Sequence, residues 1–478
     1  MKTQIRIFII TLLLGVFVST SCEKDFDSIN EDPNSITSVP SGYLLPGAIF
    51  TIASQENAFM ENLAYTSAWI QQISCGSWYN NGRYYYEKSR GFLFDNLYVG
   101  PLKDLKTMYS LAKENNNQGQ MAISLIMMSY AYALLTDCYG PIPFTEALSA
   151  DENVNKPRYD SQEIIYRAVI DSLKSATNML KGKTKIDIIN GYDVLYDGDA
   201  EKWFKFSNAL RLKLMMRISM KVDMNQQIKD LISDPELLLP QSNADNASYV
   251  FPGTAPKNYN PFYSNLSAQA TDGGYRLCNT LVDYMKASND PRLSLYGLPN
   301  DVGEYNGLAS GTGFDNDDQT YSKVNPYWGE SNRPADFMTY SEVLFLIAEV
   351  CQRGIISDDA SVYYSLAIKA NFDDLGISQQ DFDAFITEPS VTFNNTLKII
   401  MEQKWITLFT RGIEAWSEQK RTGYPALIPV AGGAVNVIPY RFQYTIAEEQ
   451  SNNQNLMEAI STLSNGDALD SKIWWINL

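Results

Sequence analysis

The stretch EKWFKFSNALRLKLMMRISM at 201–220 carries apolar residues at Trp203, Phe206, Leu210, Leu214 and Ile218, steps of three or four that lay one helix face on a core. Gly198 and Asp199 just ahead of it supply a start signal. The same spacing returns in SEVLFLIAEVC (341–351), through Leu344, Ile347, Ala348 and Cys351, and in LKIIMEQKWITLF (397–409), through Leu397, Met401, Trp405 and Leu408. Such amphipathic helices must pack on neighbours. Working outward, the pattern predicts further helices over 47–73, 93–113, 119–138, 162–180, 224–233, 278–287 and 360–371. Strand signals are few and short, so the chain is expected to be mainly all-α.

These helices arrive in antiparallel-looking pairs joined by Gly, Pro and Asn turns. A degenerate array of tetratricopeptide-like pairs fits them, although no clean repeat shows it. Residues 234–277, 288–337 and, less strongly, 421–447 break the helical pattern with Gly, Pro, Asn, Asp and Tyr. Irregular stretches of that length are usually functional. They are expected to form a loop-rich layer over the helical scaffold.

Composition narrows the chemistry. The 478 residues include no histidine, which excludes Ser-His-Asp and Cys-His arrangements and His-ligated zinc and leaves paired carboxylates as the route to hydrolysis. A formal charge of -17 without any dense Lys/Arg run excludes a nucleic-acid partner. With 19% charged residues but 30 Tyr and 8 Trp, the surface suits neutral ligands, sugars or peptides among them. Past the leader, Cys75, Cys138, Cys278 and Cys351 permit three pairings and contain no CxxC. Cys138 and Cys351 sit in helical contexts and are expected to be buried thiols. Neither metal nor other cofactor is expected.

Lys2 and Arg6 precede the apolar run from Ile7 to Val18, which ends in Ser19, Thr20, Ser21 and Cys22. Residues 1–21 thus read as a signal peptide, too short in its apolar part to span a bilayer. Cys22 after small residues resembles a lipobox cysteine, despite Ser19 where Leu is usual. Lipidation at Cys22, a tether over 22–40 and one integrated helical domain over 41–478 follow as expectations. The acidic Glu23, Asp25 and Asp27 resemble the surface signal of Bacteroidetes lipoproteins, which implies an anchored, outward-facing outer-membrane protein.

The blocks NEDPN (30–34), TDCYGPIPFTEAL (136–148), PRYDSQEIIYRAVIDSLKSA (157–176), LYDGDAEKWFKFSNALRLKLMMRIS (195–219), NDPRL (289–293), PADFMTYSEVLFLIAEV (334–350), GIEAWSEQKRTGYP (412–425) and IPYRFQYTIAEEQSNNQN (438–455) stand in family order behind Cys22. Together they resemble the SusD/RagB nutrient-binding outer-membrane lipoproteins of Bacteroidetes, in the SusD-like branch. Lys420 replaces a second Arg common before Arg421, and Thr445 stands where Pro often follows Tyr444. The resemblance implies four tetratricopeptide-like helix pairs under a loop-rich face, acting as a lid on a SusC-type TonB-dependent barrel. It implies nutrient capture without chemistry, the nutrient being a glycan in some members and a peptide in others.

A sugar ring offers an apolar C–H face and a rim of hydroxyls, so its sites pair an aromatic plane with amide, acid or guanidinium groups. GSWYNNGRYYY (76–86) has that makeup: Trp78 and Tyr79 as planes, Asn80, Asn81 and Arg83 as polar partners, and Gly82 for a tight turn. Tyr84, Tyr85 and Tyr86 are expected to pack. A second candidate, DNDDQTYSKVNPYWGESNR (315–333), contributes Tyr321, Tyr327 and Trp328; a structural Trp closing this loop is the competing reading. Asp315, Asp317 and Asp318 have the D-x-D spacing of a calcium loop but lack its Gly and distal Glu, which disfavours calcium. Trp203, Trp405 and Trp416 read as core, and Glu342, Glu349, Glu402 and Glu414 as caps or partners of Arg411 and Arg421.

Oligosaccharide capture is therefore favoured, with oligopeptide capture as its variant. A surface glycoside hydrolase is the rival, and it needs two acids about 5–10 Å apart in a cleft. An adhesin or purely structural barrel cap is a third reading.

Overall fold

The computed structural model describes residues 40–90, 92–149, 153–268, 274–314 and 320–476. The signal segment, Cys22, the tether to residue 39 and the calcium-like Asp315, Asp317 and Asp318 lie outside them. A first helix, α1 (Leu45–Glu56), precedes the scaffold. Among the described residues four helix pairs then follow: α2 (Lys103–Glu114) on α3 (Gln118–Tyr139), α4 (Gln162–Leu180) on α5 (Ala200–Ile218), α6 (Tyr340–Gln352) on α7 (Ala360–Asp374), and α8 (Leu397–Thr407) on α9 (Gly412–Thr422). α3 also packs on α4, α5 on α6 and α6 on α8, so successive pairs stack. This is the expected all-α array of degenerate tetratricopeptide-like pairs.

Each predicted stripe faces the core. Trp203, Phe206, Leu210, Leu214 and Ile218 are all buried, and each such large side chain contributes about 1.5–3 kcal/mol of burial. The α5 start is fixed by the Asp199 carboxylate, which accepts the Glu201 and Lys202 N–H groups at 3.0 and 3.1 Å. α3 is apolar nearly all round because it is the central helix, buried along most of its length. Cys138, Cys278 and Cys351 are buried free thiols, and burial pushes Cys351 up to about 11.

Where 47–73 reads as one helix, the structure interrupts it. α1 stops at Glu56, a π-helical stretch Phe59–Thr66 follows, and Ile73 already opens a strand. The buried amide of Asn62 gives the reason. Its Nδ2 donates to the Glu56 and Thr410 carbonyls at 2.5 and 2.8 Å, and its Oδ1 accepts the Gly412 N–H at 3.0 Å. A wider turn lets that side chain serve three backbone groups that would otherwise be buried unpaired. Helices Gln379–Phe385, Ile446–Ser451 and Asn453–Ser461 go beyond the sequence reading.

Three short antiparallel ribbons tie down the loop layer: β1 (Ile73–Cys75) with β5 (Tyr275–Leu277), β2 (Ile142–Pro143) with β3 (Tyr159–Asp160), and β4 (Ala247–Tyr249) with β6 (Ala335–Met338). The first carries the candidate site.

Charge, unexpectedly, fills the seam between the pairs. Arg217 of α5 donates to Glu414 at 2.7 and 2.8 Å and to Glu418 at 2.5 Å, and lies 3.3 Å from Asp137. Lys213 reaches Glu414 and Glu342 at 3.0 and 3.3 Å, Arg411 reaches Glu342 at 2.7 Å, and Arg421 reaches Glu349 at 2.5 Å. All are buried. Burial alone would raise the Glu418 carboxyl, but Arg421, Lys404 and Arg217 hold it well below the usual carboxylate range. The pairing of Glu342 with Arg411 and of Glu349 with Arg421 follows the sequence expectation. Glu414 departs from it by pairing with Arg217 and Lys213, and Glu402 by accepting the Tyr284 hydroxyl at 2.7 Å. At Lys420 the ammonium sits 3.4 Å from the Trp416 ring centre and donates to the Asp137 carbonyl at 2.8 Å; burial pushes it down to about 7.

Candidate ligand site

The β1/β5 ribbon sets Cys75 opposite Tyr275, and the chain leaves it through Gly76 into Trp78. A Cβ on Gly76 would lie 1.7 Å from the Phe314 ring, so glycine lets that ring lie flat on the backbone. Trp78 is half-buried, edge-on to Phe59 at 6.0 Å, while Phe59 meets Tyr275 at 6.3 Å. A single helical turn, Tyr79–Gly82, follows. It exposes Tyr79 and Asn80 and buries Asn81, whose carbonyl accepts the Trp69 indole N–H at 2.8 Å. Asn81 thus faces inward as a strut, and of the two amides Asn80 is the one open to a ligand.

Arg83 is held on two sides. Its guanidinium lies 5.0 Å from the Tyr79 ring centre, and its Nε donates to the Gly311 carbonyl at 2.7 Å. Gly313 lies against the Tyr79 ring, and the Gly82 and Gly311 backbones touch so closely that a Cβ on Gly82 would come within 2.6 Å of the Gly311 nitrogen. The glycine-rich strap 307–314 is thereby clamped over the turn. Its last residue, Phe314, meets Tyr321 at 6.0 Å and lies under the Arg276 guanidinium at 4.6 Å. Trp78, Tyr79, Asn80, Arg83 and Tyr321 therefore gather around one strap. Phe59, Tyr275, Arg276 and Phe314 join them without having been singled out from the sequence; the spacing of glycines in GLASGTGF (307–314) was the available signal. Tyr84 and Tyr86 pack as expected, Tyr86 stacking on Phe442 at 5.2 Å, whereas Tyr85 is exposed.

Beside Arg83 opens a cleft of about 450 Å³, within the range of about 300–1,000 Å³ typical of small-molecule sites. Gln71, Asn279, Thr280 and Ser310 form its polar walls, and Leu427, Ile428 and Val430 its apolar one. Gln71 adopts a left-handed backbone (φ 56°). Its Nε2 donates to the Ile428 carbonyl at 2.7 Å and its Oε1 accepts the Thr280 hydroxyl at 2.6 Å, which sets the cleft's far wall.

Trp328 requires correction. It is only 7% exposed, its indole N–H donates to the Leu295 carbonyl at 2.9 Å, and its ring is enclosed by Phe409 at 5.1 Å and Tyr296 at 5.5 Å, with the Arg333 guanidinium over it at 4.7 Å. No face is left for a sugar, so Trp328 closes its loop onto the scaffold. Tyr327 stays with it, edge-on at 5.4 Å and hydrogen-bonded through its hydroxyl to Arg333. The adjoining Gly329 would bring a Cβ within 2.2 Å of the Ser267 nitrogen. Gly329→Ala is therefore expected to destabilise the protein by about 1–3 kcal/mol, read from its urea midpoint.

Arg333 also lines a crevice of about 40 Å³ with Asp336 and Asp374, where burial, helped by Asp336, pushes the Asp374 carboxyl up to about 6. A raised acid beside a second carboxylate is the pattern a glycosidase would use, but this space is far below the volume a ligand needs.

A family model described as starch-binding and associating with the outer membrane matches residues 33–445. No protein of curated function matches the chain. Among solved structures, a chitin-binding protein superposes with a TM-score of 0.80 at 25% identity, over 92% of this chain and 100% of that one. A chitin-binding SusD homologue from Flavobacterium johnsoniae gives 0.78 at 24% identity, over 92% and 99%. A SusD homologue from Bacteroides fragilis gives 0.76 at 23%, also over 92% and 99%. Stacked helix pairs under a strapped loop layer, and a sequence match over most of the length, lead to one conclusion: the chain belongs to the SusD-like family of proteins associated with the outer membrane.

Proposed function

We propose that this protein captures an oligosaccharide at the Trp78/Tyr79 face and passes it, without chemistry, to a SusC-type TonB-dependent barrel on which it sits as a lid. The observation that carries the reading is the exposed Tyr79 ring beside Arg83, which lines the cleft of about 450 Å³, with half-buried Trp78 adjoining it in sequence and Asn80 and Arg83 as hydroxyl partners. Starch binding in the family description and chitin binding in two relatives support a carbohydrate ligand. In the same reading residues 1–21 are a signal peptide, Cys22 carries lipid, 22–40 is the tether, and 41–478 is one binding domain facing outward.

Each stack contributes about 1 kcal/mol, so the Trp78→Ala/Tyr79→Ala double variant is expected to bind about thirtyfold more weakly. Native mass spectrometry against mixed oligosaccharides and oligopeptides tests this. An intact glycan held one-to-one and lost in the double variant supports capture. Bound peptides would keep the lid and change the ligand class, and shortened glycans would overturn the non-enzymatic reading.

A further inference from the structure

We infer that the cleft beside Arg83 takes an acidic sugar, the carboxylate of a uronic residue docking on the Arg83 guanidinium. The inference rests on the glycan-capture reading and adds the ligand's charge to it.

Arg83 differs from the arginines of the fold that are tied up in ion pairs. Arg158, Arg217, Arg292, Arg411, Arg421 and Arg441 each reach a carboxylate. Arg83 engages Gly311 through Nε and Tyr79 through its plane, and its two terminal amino groups meet no acceptor among the described residues. Two parallel N–H donors at the end of a fixed guanidinium match the two oxygens of a carboxylate, the strongest pairing this group makes.

The cleft's walls agree with that assignment. Among the described residues none that lines it is acidic, in a chain whose net charge is -17. An anionic ligand is thus repelled by most of the surface and meets, among the described residues that line the cleft, a lone cation. A neutral sugar is served less well, because its hydroxyls need acceptors as much as donors. Gln71, the amide best placed to supply one, is already bonded at both ends, to Thr280 and Ile428. Hydroxyl oxygens of a neutral ring would accept from the guanidinium but leave its covered charge unpaired, which a carboxylate does not.

The test uses the detergent-solubilised full chain and titration calorimetry with oligogalacturonate, oligoguluronate and hyaluronan fragments. Galacto-, malto- and chito-oligosaccharides of equal length are the neutral probes. At low salt an acidic probe is expected to bind about tenfold or more tightly than the neutral ones. Arg83→Gln should abolish that preference, Arg83→Lys should retain part of it, and raising the salt should erode it. Because Arg83 also anchors the strap, circular dichroism of both variants controls for folding, and the Lys variant keeps the charge if the Gln variant fails to fold. Neutral probes bound as tightly as acidic ones, and equally by wild type and Arg83→Gln, would overturn the acidic assignment while leaving glycan capture standing. Absence of binding to every glycan would overturn the capture reading itself.

Discussion

Arg217→Met is expected to lower the unfolding free energy by about 3–5 kcal/mol, because it strands buried acids instead of merely deleting a contact. Glu414 loses two hydrogen bonds and Glu418 one, inside a seam where Arg217 itself is fully buried. Adding Glu414→Gln to Arg217→Met should return much of the loss, since one cation and one acid are then removed together while Lys213 keeps Glu342 and Glu418 keeps Lys404 and Arg421. Urea denaturation of the three proteins checks this, and a single variant as stable as wild type would show that the seam does not depend on pairing. The same measurement against pH has a defined sign. Glu342 and Glu418 titrate lower in the folded state than their ordinary value of 4.5, so their contribution is complete above that value and lost as pH falls through the lowered ones. Asp137, Glu56 and Glu61 in the same core are raised by burial and pull the opposite way. Glu414 is likewise held low by Arg217 and Lys213, so the acid limb of the wild type should be steeper than that of the double variant that lacks it.

Trp328→Ala should cost about 3–5 kcal/mol of stability and leave ligand affinity unchanged. The indole packs edge-on against the stacked Tyr296 and Phe409 rings, and its removal also orphans the Leu295 carbonyl. The Trp78→Ala/Tyr79→Ala variant should show the reverse pattern, weakened binding with little change in stability, since Tyr79 is exposed and Trp78 half-buried. Thermal melting and calorimetry on the two proteins separate the roles. Lost affinity at unchanged melting temperature in Trp328→Ala would return Trp328 to the ligand site and displace the site proposed here.

The helical scaffold was legible because its signal is local: the stripe from Trp203 to Ile218 and the Asp199 start lie within one turn or a few turns of each other. Pairings across hundreds of residues were not. Glu349 with Arg421 could be guessed as acid and base on adjoining family blocks, but nothing local indicates that Arg217 turns toward Glu414 and Glu418. The first half of the candidate site was legible for the same reason as the scaffold, with Trp78, Tyr79, Asn80 and Arg83 contiguous on one turn. Of its second half Tyr321 reaches the strap but Tyr327 and Trp328 do not, because exposure cannot be read from residue type. Trp328 and Phe314 stand in one irregular stretch; tertiary packing buries the former and brings the latter to Gly76, which accepts the ring only for want of a Cβ.

A chain is made from its N-terminus onward, and the charged seam bears on when that growing thread can close. Arg217 and Glu418 are 201 positions apart, and Asp137 and the Trp475 indole that it accepts are 338 apart. During synthesis Arg217 appears after Asp137 but long before Glu414 and Glu418, and collapse at that point would bury a cation short of most of its partners. The early helix pairs thus lack a well-paired closed state until α9 has been made. Unlike a wholly apolar interior, which can condense around whatever has been made, this core acts as a latch whose last tooth is near the C-terminus, committing the growing protein to one shape only once α9 and the Trp475 segment are in place.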